Sequence, residues 1–154
     1  MPIRTILALA ALACTCGPVA CAQPAESTPP AQQVLPIRLS GTPDSSGRLL
    51  VAVYATEASW LDTAVVAHYA EPQAVAGGQL VEIPGVPPGR YAVAVVHDAD
   101  ESGDMTTGIF GIPEEAYGFS NGARGRLGPP SFEESAVEWD GVAEVAVEVK
   151  KFGG

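Results

Sequence analysis

The sequence predicts an all-β fold, an antiparallel β-sandwich of about seven short strands with one long ordered loop. Three observations point there. Several short runs alternate apolar and polar residues with a period of two, the pattern of a strand with one buried face. Clusters of Gly, Pro, Asp and Ser separate these runs at short intervals. Helical periodicity is scarce and strands do not alternate with helices, which favours a sandwich over a parallel α/β sheet.

Residues 1–22 read as an export signal. Met1-Pro-Ile-Arg4 is a short basic start, Ile6 to Ala13 is apolar, and Ala20-Cys21-Ala22 fits a small-x-small cleavage site. The apolar run is shorter than the roughly 20 residues a spanning helix needs, and no later segment is long and apolar enough to expect a transmembrane helix. The expected location is periplasmic or secreted, with a lipid anchor through Cys14 or Cys21 as the alternative. All three cysteines (Cys14, Cys16, Cys21) fall in this leader, so the rest is expected to need no disulfides. Residues 23–33, polar and proline-rich, are expected to form a disordered linker, and residues 34–151 the sandwich domain.

Within that domain Leu35, Ile37 and Leu39 alternate with Pro36, Arg38 and Ser40. The turn cluster Gly41–Gly47 and the run Arg48–Tyr54 then give a hairpin signal. Thr56–Asp62 has the makings of one helical turn capped by Thr56 or Ser59. Ala64–Tyr69 and Gln79–Ile83 read as further strands. Pro87-Pro88-Gly89 suggests a tight turn with Gly89 at positive φ, launching Arg90–His97, which is apolar on both faces and belongs mid-sheet. Ala136–Trp139 is a short strand, Asp140-Gly141 a hairpin turn, and Val145, Val147 and Val149 face inward on the last strand.

The net charge is −10, and removal of Arg4 with the leader makes the remainder more acidic. Nucleic acid is excluded as a partner, because its phosphates require clustered Lys and Arg. Cations are the natural small partners of such a chain, although a solvated acidic surface accounts for the same charge.

The segment His97–Phe132 is rich in Gly and Pro, and loops beyond about 12–15 residues usually carry function. It opens with a calcium-type spacing: Asp98, Asp100, Ser102 and Asp104, with Gly103 at the sharp turn. Ile109 stands where such a loop wants a bidentate glutamate, so Thr106, Glu114 or Glu115 would have to complete the site. Ca²⁺ is thus a candidate ligand rather than a required cofactor. Asp, Ser and Gly are also ordinary turn residues.

Gly118-Phe-Ser120-Asn-Gly122 matches a serine-hydrolase elbow, but no histidine follows it and the strand–helix context is missing. No catalytic residue is therefore assigned. Glu114-Glu115 and Glu133-Glu134 read as solvated loop charge. His97, Tyr117, Phe119, Asn121, Arg124 and Arg126 form a second candidate set. In one role the arginines pin the loop to Asp98, Asp100 or Asp104, His97 bonds loop backbone and the aromatics plug an end of the sandwich. In the other, the aromatics stack a sugar or peptide while an arginine grips a carboxylate.

The succession PPGRYAVAVVHDAD followed by GIPEEAYGFSNGARGRLGPPSF resembles the bacterial exported family called domain of unknown function 2141, over about Leu35 to Lys150. The resemblance implies an ordered long loop and, by analogy with transthyretin-like, immunoglobulin-like and carboxypeptidase-regulatory-like domains, a sandwich. It implies no activity. Against the family's acidic loop, Asp100 and Ser102 stand in for asparagines, Thr106 for an aspartate and Gly108 for a later asparagine. Asn121-Gly122-Ala123 replaces an Asn-Asn-Ala. The expected function is an exported, non-enzymatic binding or interaction module of the cell envelope, with an envelope polymer or envelope protein as partner and a weak calcium-type loop. The alternatives are a hydrolase of envelope polymers working through loop carboxylates, and a purely structural envelope protein.

Overall fold

The computed structural model describes residues 33–63, 66–125 and 128–153; the expected leader and almost all of the linker lie outside them. Eight strands form two facing sheets. The smaller contains β1 (Val34–Ser40), β4 (Leu80–Pro84) and β8 (Val145–Glu148), in the order β4-β1-β8. The larger contains β2 (Arg48–Tyr54), β3 (His68–Ala70), β5 (Gly89–Asp98) and β6 (Ala116–Phe119) in the order β3-β2-β5-β6, with β7 (Ala136–Trp139) also paired to β5. Every pairing between strands is antiparallel except β1 with β8, which run parallel.

The period-two pattern fixes which face each strand buries. Leu35, Ile37 and Leu39 of β1, with Val81, Ile83, Val145, Val147 and Val149, meet Leu49, Val51 and Val53 of β2 and Tyr91, Val93 and Val95 of β5 in one core. Burying a side chain of this size contributes about 1.5–3 kcal/mol, which lets a cysteine-free sandwich hold together. As its doubly apolar sequence suggests, β5 is central, between β2 on one side and β6 and β7 on the other.

Three local expectations are corrected. β1 and β2 lie in different sheets, so Gly41–Gly47 is a crossover and not a hairpin. The same holds for Asp140-Gly141, where Asp140 Oδ1 accepts from the amides of Val142 and Ala143 while the chain passes between sheets. The positive φ before β5 belongs to Gly85, at 78°, whereas Gly89 is already strand. Tyr91 Oη pins this turn by donating to the Pro87 carbonyl at 2.9 Å. The strand expected from Ala64 is described only as His68–Ala70.

The expected helical turn is the 3-10 turn Glu57–Ser59, capped by Thr56. It delivers Trp60 and Leu61 to the outer face of the larger sheet. Helix α1 (Phe132–Ser135) delivers Phe132 to the same place, where a second cluster forms with Ala52, Tyr54 and Ala92. Trp60 meets Tyr54 and Phe132 edge-on, at centroid distances of 5.2 and 6.1 Å.

Candidate functional site

The acidic loop begins where β5 ends. Strand register sets Arg48 of β2 directly across from Asp98, so a cation faces the carboxylate on the outer side of the sheet. Asp98 is fully buried. Its Oδ1 accepts from the Ser102 amide at 2.9 Å, and its Oδ2 accepts from the Gly103 amide at 2.9 Å and from Arg48 Nε at 3.3 Å. Burial would push the Asp98 carboxyl up, but the Gly103 amide, Arg48 and the Ser102 amide outweigh it and hold it below the ordinary aspartate value. Gly103, at φ 86°, makes the sharp turn these bonds require.

The far end of the loop returns to the same point. Glu115 is 8% exposed; its Oε1 accepts from the Ala99 amide at 3.2 Å and its Oε2 from the Thr106 amide at 3.0 Å. Carboxylate oxygens of Asp98, Asp100 and Glu115 lie within 4.8 Å of one another, the spacing of a cation site. Asp100 also accepts from the Ser102 amide at 3.1 Å, and the Ser102 hydroxyl donates to the Asp104 carbonyl at 3.1 Å. Of the residues expected to ligate, Asp98 and Asp100 enter the cluster and Ser102 borders it. The Asp104 side chain is exposed, and Thr106 meets the cluster through its amide. Glu115, one of three residues considered for completing the loop, brings the third carboxylate; it is buried and bonded to loop amides, which corrects its reading as solvated loop charge.

The second candidate set divides. His97 is buried, and its Nε2 lies 2.8 Å from the Ser46 carbonyl, so it bonds the β1–β2 crossover rather than the long loop. Asn121 takes a left-handed φ of 58°, a conformation asparagine tolerates, and its Nδ2 donates to the Glu134 carbonyl at 2.9 Å. It staples α1. Arg124 does not reach the acidic loop; it pairs with Glu148 at 3.0 Å, and the role once expected of it at Asp98 falls to Arg48. Arg126 lies outside the described residues. Tyr117 and Phe119 face outward from β6 with centroids 5.8 Å apart, lining a surface groove rather than plugging an end of the sandwich.

Ser120 explains why the hydrolase-like pattern carries no chemistry. β6 and β7 share one edge of β5, and the ladder breaks between Ala92 and Ala94. The fully buried Ser120 hydroxyl fills that gap, accepting from the Val93 amide at 2.8 Å and donating to the Ser135 carbonyl. The pattern's serine is thus a backbone surrogate.

This geometry sits within a sequence that is similar to a known group. A profile described as an uncharacterized protein conserved in bacteria, DUF2141, matches residues 37–146. The chain belongs to this family. Both Asp98 and Glu115 fall inside the DUF2141 match, as do β5 and β6, which flank the loop. No curated protein and no solved structure matches the chain. Among the described residues no helix is long and apolar enough to cross a membrane.

Proposed function

We propose that this DUF2141 protein is an exported, non-enzymatic binding module of the cell envelope whose Asp98–Glu115 loop is drawn shut around a calcium ion. The observation that carries the reading is the convergence of Asp98, Asp100 and Glu115 within 4.8 Å. Three carboxylates that close repel one another, and a divalent cation relieves that cost where Arg48 meets only one of them. Hard oxygen donors such as these carboxylates suit Ca²⁺. A binding role rather than a catalytic one is supported by the engagement of the reactive groups: Ser120 bonds strand backbone, His97 bonds Ser46, and Glu133 and Glu134 serve Arg90 and the α1 cap.

Calorimetric titration of the purified protein with Ca²⁺ tests the metal. Saturable heat and a raised melting temperature at millimolar Ca²⁺ are expected, both lost in Glu115→Gln and Asp100→Asn. Absence of heat and of any melting shift in the wild type overturns the calcium reading. Mass spectrometry of the protein recovered from its host tests export. A mature start at Gln23 is expected, and an acylated Cys14 or Cys21 would make it an anchored protein instead.

A further inference from the structure

Among the described residues, Trp60, Leu61 and Phe132 cover one part of the outer face of the larger sheet. Beside that cover lies a groove of about 760 Å³, with Leu50, Ala94 and Val96 in its floor, Ala52 and Leu61 at its border with the Trp60 cluster, and the acidic loop, through Met105 and Ile112, as one wall. That volume is within the range of small-molecule sites, about 300–1,000 Å³. Large apolar side chains stand exposed along it: Tyr69, Ile112 and Phe152 are 45%, 43% and 53% accessible. A contiguous apolar surface of this kind marks a binding face.

A second pocket, of about 300 Å³, adjoins the groove and shares Tyr117, Phe119 and Phe152 with it. Its chemistry is opposite to that of the rest of the molecule. Arg124, Lys150 and Lys151 line it, three of the eight Lys and Arg residues of a chain whose net charge is −10. Two carboxylates oppose these three cations: Glu148, at 3.0 Å from Arg124 and 2.8 Å from Lys150, and Asp44, whose carboxyl Lys151 helps to hold low. Positive charge therefore exceeds negative charge there, beside an apolar channel.

We infer that the two cavities form one site for an anionic amphiphile, an acyl chain ending in a carboxylate. The chain lies over the outer face of β2, β5 and β6, and the head sits among Arg124, Lys150 and Lys151. Charge complementarity selects this ligand class. A neutral apolar molecule would leave the basic pocket unused, and an anionic membrane surface would be repelled by the acidic remainder of the protein. Arginine and lysine side by side match a carboxylate with charge-assisted hydrogen bonds. The inference rests on the binding-module reading but not on its metal, so a failed calcium titration leaves it standing.

The test is titration of the full chain with dodecanoate below its micelle concentration, read by calorimetry and by the fluorescence of Trp60, which packs on Tyr54 and Phe119 in the groove wall. Saturable one-to-one binding with a Kd on the order of 1–10 µM is expected, at least about tenfold tighter than for a twelve-carbon maltoside with an uncharged head. The Lys150→Gln/Lys151→Gln variant should lose most of that preference while keeping its melting temperature. Ala94→Phe, which fills the floor, should abolish both ligands; if it fails to fold, the rim variant Ile112→Asp should weaken both. Equal affinity for the two ligands overturns the inference. So does the absence of saturable binding, or association with anionic vesicles but not with monomeric dodecanoate.

Discussion

Replacing Asp98 by asparagine tests the central claim about the loop, that a buried charge organises it. The side chain keeps its shape and one acceptor, so the Ser102 amide can still be bonded. The new Nδ2 cannot accept, leaving the Gly103 amide at 2.9 Å and Arg48 Nε at 3.3 Å without their partner. Hydrogen bonds to a charged group contribute about 1.5–3 kcal/mol each, and two coupled losses at one atom sum to less than twice that, so about 3 kcal/mol of destabilisation is expected near pH 7. The pH dependence has a definite sign. Because the folded Asp98 carboxyl titrates below its unfolded counterpart, its contribution is fully present above the unfolded value near 3.9 and is lost as pH falls through the lower folded value. Urea unfolding followed by tryptophan fluorescence from pH 7 down to pH 2 reads both effects. Wild type and variant should converge in stability at the acid end. A loss under about 1 kcal/mol at pH 7, or parallel pH profiles, would mean that the Asp98 charge does not organise the loop.

Ser120→Ala removes the acceptor of the Val93 amide and the donor to Ser135, and should cost about 1–3 kcal/mol in chemical denaturation while leaving dodecanoate and Ca²⁺ titrations unchanged. Gly118→Ala drives a methyl group to 2.3 Å from the Glu148 carbonyl, backbone that cannot swing away, so about 1–3 kcal/mol of strain and a lowered melting temperature are expected. Arg38→Gln breaks the exposed two-pronged pair with Glu144, and its melting temperature should match that of the wild type.

Some strands are legible in the sequence: Arg48–Tyr54 and Ala136–Trp139 match the observed strands at both ends. Partner choice was not legible, because a turn cluster such as Gly41–Gly47 looks the same whether it closes a hairpin or crosses between sheets. β6 was missed: Ala116–Phe119 is short and interrupted by Gly118, a residue required by the close approach of Glu148 rather than by turn geometry. Helix α1 does carry a sequence signal, since Ser131 and Glu134 have the spacing of a capping box. At the site, Asp98 and Asp100 were visible through local spacing, while Arg48 lies 50 residues earlier in the chain and Glu115 returns after a long excursion. Only the pairing of β2 with β5 and the closure of the loop bring them in. The groove was invisible for a related reason: its lining comes from several separate stretches, and no local pattern marks which part of a sheet's outer face is covered.

The place where β6 meets the chain end has a wider consequence. Tyr117 and Lys150 exchange both backbone hydrogen bonds at 2.9 Å, stitching the larger sheet to the continuation of β8. One flank of the sandwich is thereby sewn shut like a barrel seam. Among the described strands the open margins are then β3, of three residues, β7, of four, and β4, of five. Margins this short offer little template for a second molecule to add its own strand. A chain that carries no cysteine beyond position 21 thus gains resistance to self-association from a single backbone stitch. Amide exchange at residues 117 and 150 would be the first to report its opening.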